Sequence, residues 1–242
     1  MIESLSYKYG EGNFRMRLSA SQMEQRRLDM YASAFALFSE RGIESTSIHE
    51  VADATGFGEA SIYRYFGDKT TLVIETAAWK WREYLEAVNA EYARRNGPSM
   101  CALEEFEFYL DSYLMLYRDH PDLLRFNARF DLYVQREEVT EDRLAPYTKS
   151  VDLFLEKFRT VRRKALADQT MRTDIDEEEL FCTAMYSMLT LAAKFSFGLI
   201  YPASSDFDRE RALLRQKQML MEYVLPERTA EEEGGPEDGH RE

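Results

Sequence analysis

The chain has 242 residues, room for one or two domains, and its 45% apolar content excludes disorder of the whole. Two cysteines, Cys101 and Cys182, exclude a disulfide framework and suit a reducing cytosol. A formal charge of −13 excludes broad electrostatic adhesion to nucleic acid, so any such contact must rest on a few placed cations.

Residues 1–20 show no clear periodicity. Lys8, Arg15 and Arg17 could make them an arm for a minor groove, but a mobile leader is the plainer expectation. The first helix spans 22–41, with Leu28, Tyr31, Ala32, Phe35 and Phe38 at helical spacing and Gly42 as its stop. A capping box of Ser47 and Glu50 opens the next, which buries Ile48, Val51, Ala52 and Thr55 on one face. Gly56-Phe57-Gly58 breaks that helix, and a short one follows over 59–66 with Ile62 and Phe66 inside. Ser61, Tyr63, Arg64 and Tyr65 then face out, with Lys69 just past the end. Helix, glycine turn, helix is the plan of a helix-turn-helix, whose second helix enters the DNA major groove. An ordinary helical hairpin fits the spacing equally well.

A helix over 70–95, carrying Leu72, Thr76, Trp79, Glu83 and Glu86, joins this headpiece to the rest before the break at 96–99. Helices follow over 100–120, from Pro121 to a charged loop at 135–143, and over 145–169. An acidic start at 174–179 opens a segment to residue 200 that is apolar nearly all round, as a helix covered on two sides would be. Pro202 and Ser204-Ser205 break it, 207–225 is a last amphipathic helix, and 226–242 is an acidic tail expected to be disordered. The first residues carry no apolar core of a signal peptide and no run of about 18 apolar residues appears, so the expectation is a cytoplasmic protein without membrane contact. The fold class is all-α: a headpiece over 21–72 and a helical ligand-binding and dimerisation domain over 73–225.

Arg41-Gly42, Thr46-Ser47-Ile48, Val51-Ala52, Gly56 and the run Ile62-Tyr63-Arg64-Tyr65-Phe66-x-Asp68-Lys69-x-x-Leu72 resemble the TetR (tetracycline-repressor-like) regulators. The resemblance implies that Thr46, Ser47, Tyr63, Tyr65 and Lys69 clamp phosphates of double-stranded DNA, while Glu59, Ala60, Ser61 and Arg64 face bases or the groove. Two departures stand out. Gly58 replaces the usual capping Ser or Thr, and Glu59 replaces a frequent Lys or Arg, which favours the helix dipole but repels phosphate. Weak non-specific affinity is the expected result.

The resemblance also implies a homodimer whose terminal helices pair into a four-helix bundle, here through Leu189, Ala192, Phe195, Leu213, Leu220 and Val224, holding two recognition helices about 34 Å apart. It implies a small-molecule inducer, with no cofactor. Tyr109, Tyr113, Phe126, Asn127, Phe130, Tyr133, Met185 and Tyr186 could line its cavity between helices, or simply form core, which is the commoner role of such stripes. Asn127 lies on a buried face and needs a partner, more often protein than ligand. Enzyme chemistry finds no support. His49, His120 and His240 do not converge with the cysteines, and no metal-ligand spacing or phosphate loop appears. The function expected is a dimeric repressor relieved by a small molecule. The alternative is a helical adaptor that uses the headpiece to bind a protein.

Overall fold

The computed structural model describes residues 19–198 and 207–226. The expected arm, the break at Pro202 and the acidic tail lie outside them. Among the described residues the order is α1 (Ala20–Arg41), α2 (Ile48–Thr55), α3 (Glu59–Phe66), α4 (Lys69–Arg94), α5 (Ala102–Asp119), α6 (Pro121–Arg136), α7 (Glu141–Asp168), α8 (Glu177–Phe197) and α9 (Arg209–Tyr223), with no strand. The starts follow from side chains that satisfy free amides. Ser19 with Gln22 and Ser47 with Glu50 form capping boxes. Asp68, Asp176 and Asp208 cap α4, α8 and α9.

One core runs from Met30 on α1 to Val224 past α9. The headpiece is therefore not a separate bead: α1 packs on α4 and α6, and its Phe35 and Phe38 rings lie 5.3 and 6.4 Å from that of Phe126.

Three segments differ from expectation. On α4 the buried stripe does not continue to Glu83 and Glu86, which are exposed, but shifts to Trp81, Tyr84, Leu85 and Val88. Its early turns face α1 and its later turns face α7, so no single stripe serves the whole length. The helix α7 starts at Glu141 and runs through Pro146, shrinking the expected 135–143 loop. Glu141 and Asp142 at the positive end favour that earlier start, and a proline in the second turn forfeits one amide bond without ending the helix. Finally, α8 is by length and composition apolar enough to cross a membrane, with a mean hydropathy of 1.3, although polar residues interrupt its apolar run. It packs against α5, α6, α7 and α9, though only a third of that apolar stretch is buried.

The expected interface residues also need correction. Ala192, Phe195, Leu213, Leu220 and Val224 are buried inside the protomer, and Leu189 is half-buried. The reason is that α9 lays its apolar stripe on the chain's own α5 and α8. What these helices turn outward is Tyr186 and Met219, each 63% exposed, with Phe197, Leu214 and Tyr223.

Candidate nucleic-acid interface and adjoining cavity

The turn between α2 and α3 depends on Gly56, whose φ of 69° is left-handed. Ile62 and Phe66 anchor α3 in the core, which fixes what its other side presents. Tyr63 is 48% exposed, and Glu59, Ala60 and Arg64 are exposed with it. Ser61 and Tyr65 are half-buried, and the Arg64 guanidinium lies 5.7 Å from the Tyr65 ring centre. This surface offers one cation, hydroxyls and one carboxylate to a groove.

Thr46 does not belong to it. The residue is 1% exposed and its hydroxyl donates to the Gly42 carbonyl at 2.8 Å, closing the loop before α2. Ser47 is exposed, and its hydroxyl donates to Glu50 at 2.9 Å. Lys69 is half-buried, and its Nζ donates to the Glu44 carbonyl at 3.4 Å. Burial pushes its pKa below the usual lysine value, against the pull of Glu44 and Glu137.

His49 was not singled out as a site residue, because no local spacing links residues on two helices across a turn. Its Nδ1 sits 2.8 Å from Glu59 and its Nε2 3.3 Å from Asp53. The carboxylate at the start of α3 is thereby tied to α2.

One side of α6 grips the headpiece at helical spacing. Arg129 donates to the carbonyls of Phe38 and Ser39 at 3.2 and 2.7 Å. Tyr133 shares a 2.9 Å hydrogen bond with Thr70, and Arg136 pairs with Glu44 at 3.2 Å. From α7, Arg143 reaches both carboxylate oxygens of Asp68 at 2.8 and 2.9 Å.

The body holds a cavity of about 40 Å³ walled by Trp81, Tyr84, Ser112, Tyr113 and Phe154. It shares Tyr147, Val151, Met185 and Leu189 with a more open groove of about 460 Å³ that includes Asn127, Phe130, Asp131, Gln135 and Tyr186. Five of the eight expected ligand residues are thus brought together: Tyr113, Asn127, Phe130, Met185 and Tyr186. The other three are placed elsewhere. Tyr109 packs on Tyr92, Phe108 and Phe158, Phe126 meets α1, and Tyr133 faces Thr70. The wall residues Trp81, Tyr84, Tyr147 and Phe154 were missed as ligand candidates. Trp81 and Tyr84 lie on the stretch of α4 whose buried face was misjudged.

Asn127 has protein partners. Its Oδ1 accepts from Trp81 at 3.0 Å and Tyr147 at 3.2 Å, and its Nδ2 donates to Asp131 at 3.4 Å. Asp131 stands on the groove rim, and desolvation of its carboxyl pushes the pKa up to about 6.

A three-helix headpiece whose short third helix, α3, is bared, carried on a helical body with a cavity, is the plan of a helix-turn-helix protein. Residues 31–76 match the family model of bacterial regulatory proteins, tetR family. Over that stretch, the headpiece, the chain is similar to the family. It is 27% identical over 126 residues to the HTH-type transcriptional repressor KstR2 of Mycobacterium tuberculosis, an alignment spanning 49% of this chain and 62% of the relative. In fold it resembles a transcriptional regulator FadR from Bacillus subtilis in complex with stearoyl-CoA, with a TM-score of 0.61, 12% identity, and coverage of 81% of this chain and 98% of that one. It also resembles a regulator from Saccharomonospora viridis in complex with choline, with a TM-score of 0.62, 18% identity, and coverage of 84% and 99%.

Proposed function

We propose that this chain is a dimeric, DNA-binding transcriptional repressor whose hold on a two-fold symmetric operator is relieved by a small molecule taken into the helical body. The observation that carries the reading is the two-sidedness of α6. One side places Asn127, Asp131 and Gln135 on the groove, while the other holds the headpiece through Arg129, Tyr133 and Arg136. A molecule that needs α6 displaced in order to fit binds the two arrangements unequally, and that difference is what shifts DNA affinity.

In this reading Tyr63, Tyr65, Ser47 and Lys69 meet phosphates, and Glu59, Ala60, Ser61 and Arg64 face the groove. The second subunit covers the outward apolar face of Tyr186, Phe197, Leu214, Met219 and Tyr223. The protein acts in the cytoplasm, where the DNA is, and is not an enzyme. The KstR2 and FadR relatives, named as a repressor and a regulator, support it.

Selection of duplexes from a random pool at low salt tests the reading. Enrichment of a two-fold symmetric site is expected, and no enrichment over the starting pool overturns it. The adaptor alternative draws on the acidic headpiece and on Lys69 being held by Glu44. The same selection decides against it if duplexes are retained.

A further inference from the structure

The imidazole of His49 on α2 stands between two carboxylates. Its Nδ1 is 2.8 Å from Glu59 at the start of α3, and its Nε2 is 3.3 Å from Asp53, one turn along α2. Ionised carboxylates only accept hydrogen bonds, and a neutral imidazole carries one N–H. The neutral ring therefore serves one of the two at a time. Only the imidazolium, with hydrogen on both nitrogens, donates to both and joins the helices across the glycine turn.

The neighbouring charges leave this pairing undisturbed. The helices packed on α2 are α1 and α3. On α1, Arg41 is turned to Glu50, 3.2 Å away. On α3, Arg64 lies along Ser61 and the Tyr65 ring. The charged groups facing His49 are thus Asp53 and Glu59. All three side chains are between 46% and 70% exposed, so the pairs add little to stability. Their larger effect is on the sign of the surface. The exposed side of α3 bears one cation, Arg64, and one carboxylate, Glu59. A protonated His49 offsets that carboxylate, and nearby phosphates favour the protonated ring.

We propose that His49 is a positioning residue operated by a proton: as imidazolium it clasps α3 to α2 and holds Glu59 back from the phosphates, so that DNA binding takes up one proton per headpiece. The link to DNA rests on the reading of the headpiece as the DNA-binding end. The clasp itself rests on the geometry.

Affinity for a duplex from the random-pool selection is measured at pH 6, 7 and 8 and at one ionic strength. The wild type is expected to bind about tenfold or more tightly at pH 6 than at pH 8, since imidazole changes charge in this range and uptake of one proton changes affinity by up to about tenfold per pH unit. His49→Gln, which cannot be charged, should lose that dependence. Glu59→Gln should bind more tightly than wild type at pH 8, with the gain shrinking toward pH 6, where the imidazolium already restrains the carboxylate. A gain that is the same at every pH means that His49 and Glu59 act independently, which overturns the proposal. So does a wild-type profile equal to that of His49→Gln.

A second readout needs no DNA. The Gly56 and Phe57 amides, both hydrogen-bonded in the turn, report the clasp through their protection from exchange in the free protein. With rates corrected for pH, the wild type should be about two- to fivefold better protected at pH 6 than at pH 8, the scale of exposed ion pairs, and His49→Gln equally protected at both. Equal protection in the wild type overturns the clasp. Protection that follows His49 in a protein retaining no duplex upholds the clasp and sinks the DNA-binding reading.

Discussion

The Arg129 guanidinium donates to the Ser39 carbonyl at 2.7 Å, tying α6 to the last turn of α1, where helical amides to pair with the carbonyls run out. The same Nη1 reaches the Phe38 carbonyl at 3.2 Å, which also accepts from the Gly42 amide at 3.0 Å. A charged donor on two end-of-helix carbonyls also opposes the negative end of the dipole.

Arg129→Ala is therefore expected to destabilise the protein by about 2 kcal/mol, the scale of lost hydrogen bonds from a charged donor. Amide exchange should quicken first at the end of α1, with the α5 amides less affected. Uniform acceleration along the chain would assign Arg129 to global packing instead of this joint.

Arg64→Ala should cost about 1–3 kcal/mol on the selected site and much less on random duplex, since Arg64 is the exposed cation of α3. Lys69→Ala should weaken both alike and lower the salt slope by about one. That requires Lys69 to leave the Glu44 carbonyl for a phosphate. An unchanged slope means that it stays.

Glu59→Lys should raise affinity for random duplex, because the change removes a carboxylate at the DNA-facing end of α3 and adds a counterion-releasing cation. His49, 2.8 Å from Glu59, loses its partner in that variant. Unchanged binding to random duplex would mean this end of α3 does not approach the phosphates.

Asp131 gives a pH dependence of opposite sign to that of ordinary paired carboxylates. Its folded pKa of about 6 stands above the unfolded 3.8, so the folded state binds the proton more tightly. Its contribution to stability is thus greatest below pH 4 and is lost as pH rises through 6. The residue is exposed at the rim, so solvent screening reduces the effect to about 1 kcal/mol. Asp131→Asn should be more stable than wild type at pH 7 and lose that advantage toward pH 4. The difference between the two urea curves isolates this group from carboxylates such as Glu91, held near 2 by Arg94 and Arg95.

Met219→Glu should dissociate the dimer while the melting of the protomer is little changed, because the residue is 63% exposed. Leu213→Glu should unfold the protomer, since that side chain is fully buried. Sedimentation of the wild type at micromolar concentration comes first, and a monomer there removes the interface.

The headpiece was legible in the sequence because its signals are local: the Ser47–Glu50 box, Gly56, and the spacing of Ile62 and Phe66. Helix faces further on were less so. Residues Leu213, Leu220 and Val224 form a stripe that either a second subunit or the chain's own α5 and α8 could cover, and periodicity does not distinguish the two. Thr46 looked free for phosphate because a hydroxyl spent on a carbonyl four residues back leaves no trace in composition. The tie between His49 and Glu59 exists only once helices are packed.

The unbroken run of α4 from Lys69 to Arg94 makes it a stiff beam with Trp81 and Tyr84 on the cavity and Asp68 to Thr70 at the headpiece. Lys69 lies about 18 Å along the axis from Trp81 at the standard rise per residue. Each degree of tilt about Trp81 then moves Lys69 by about 0.3 Å, so a tilt of about ten degrees carries it about 3 Å. That is close to the ~3.4 Å rise of one base pair, enough to put a docked α3 out of step with its site.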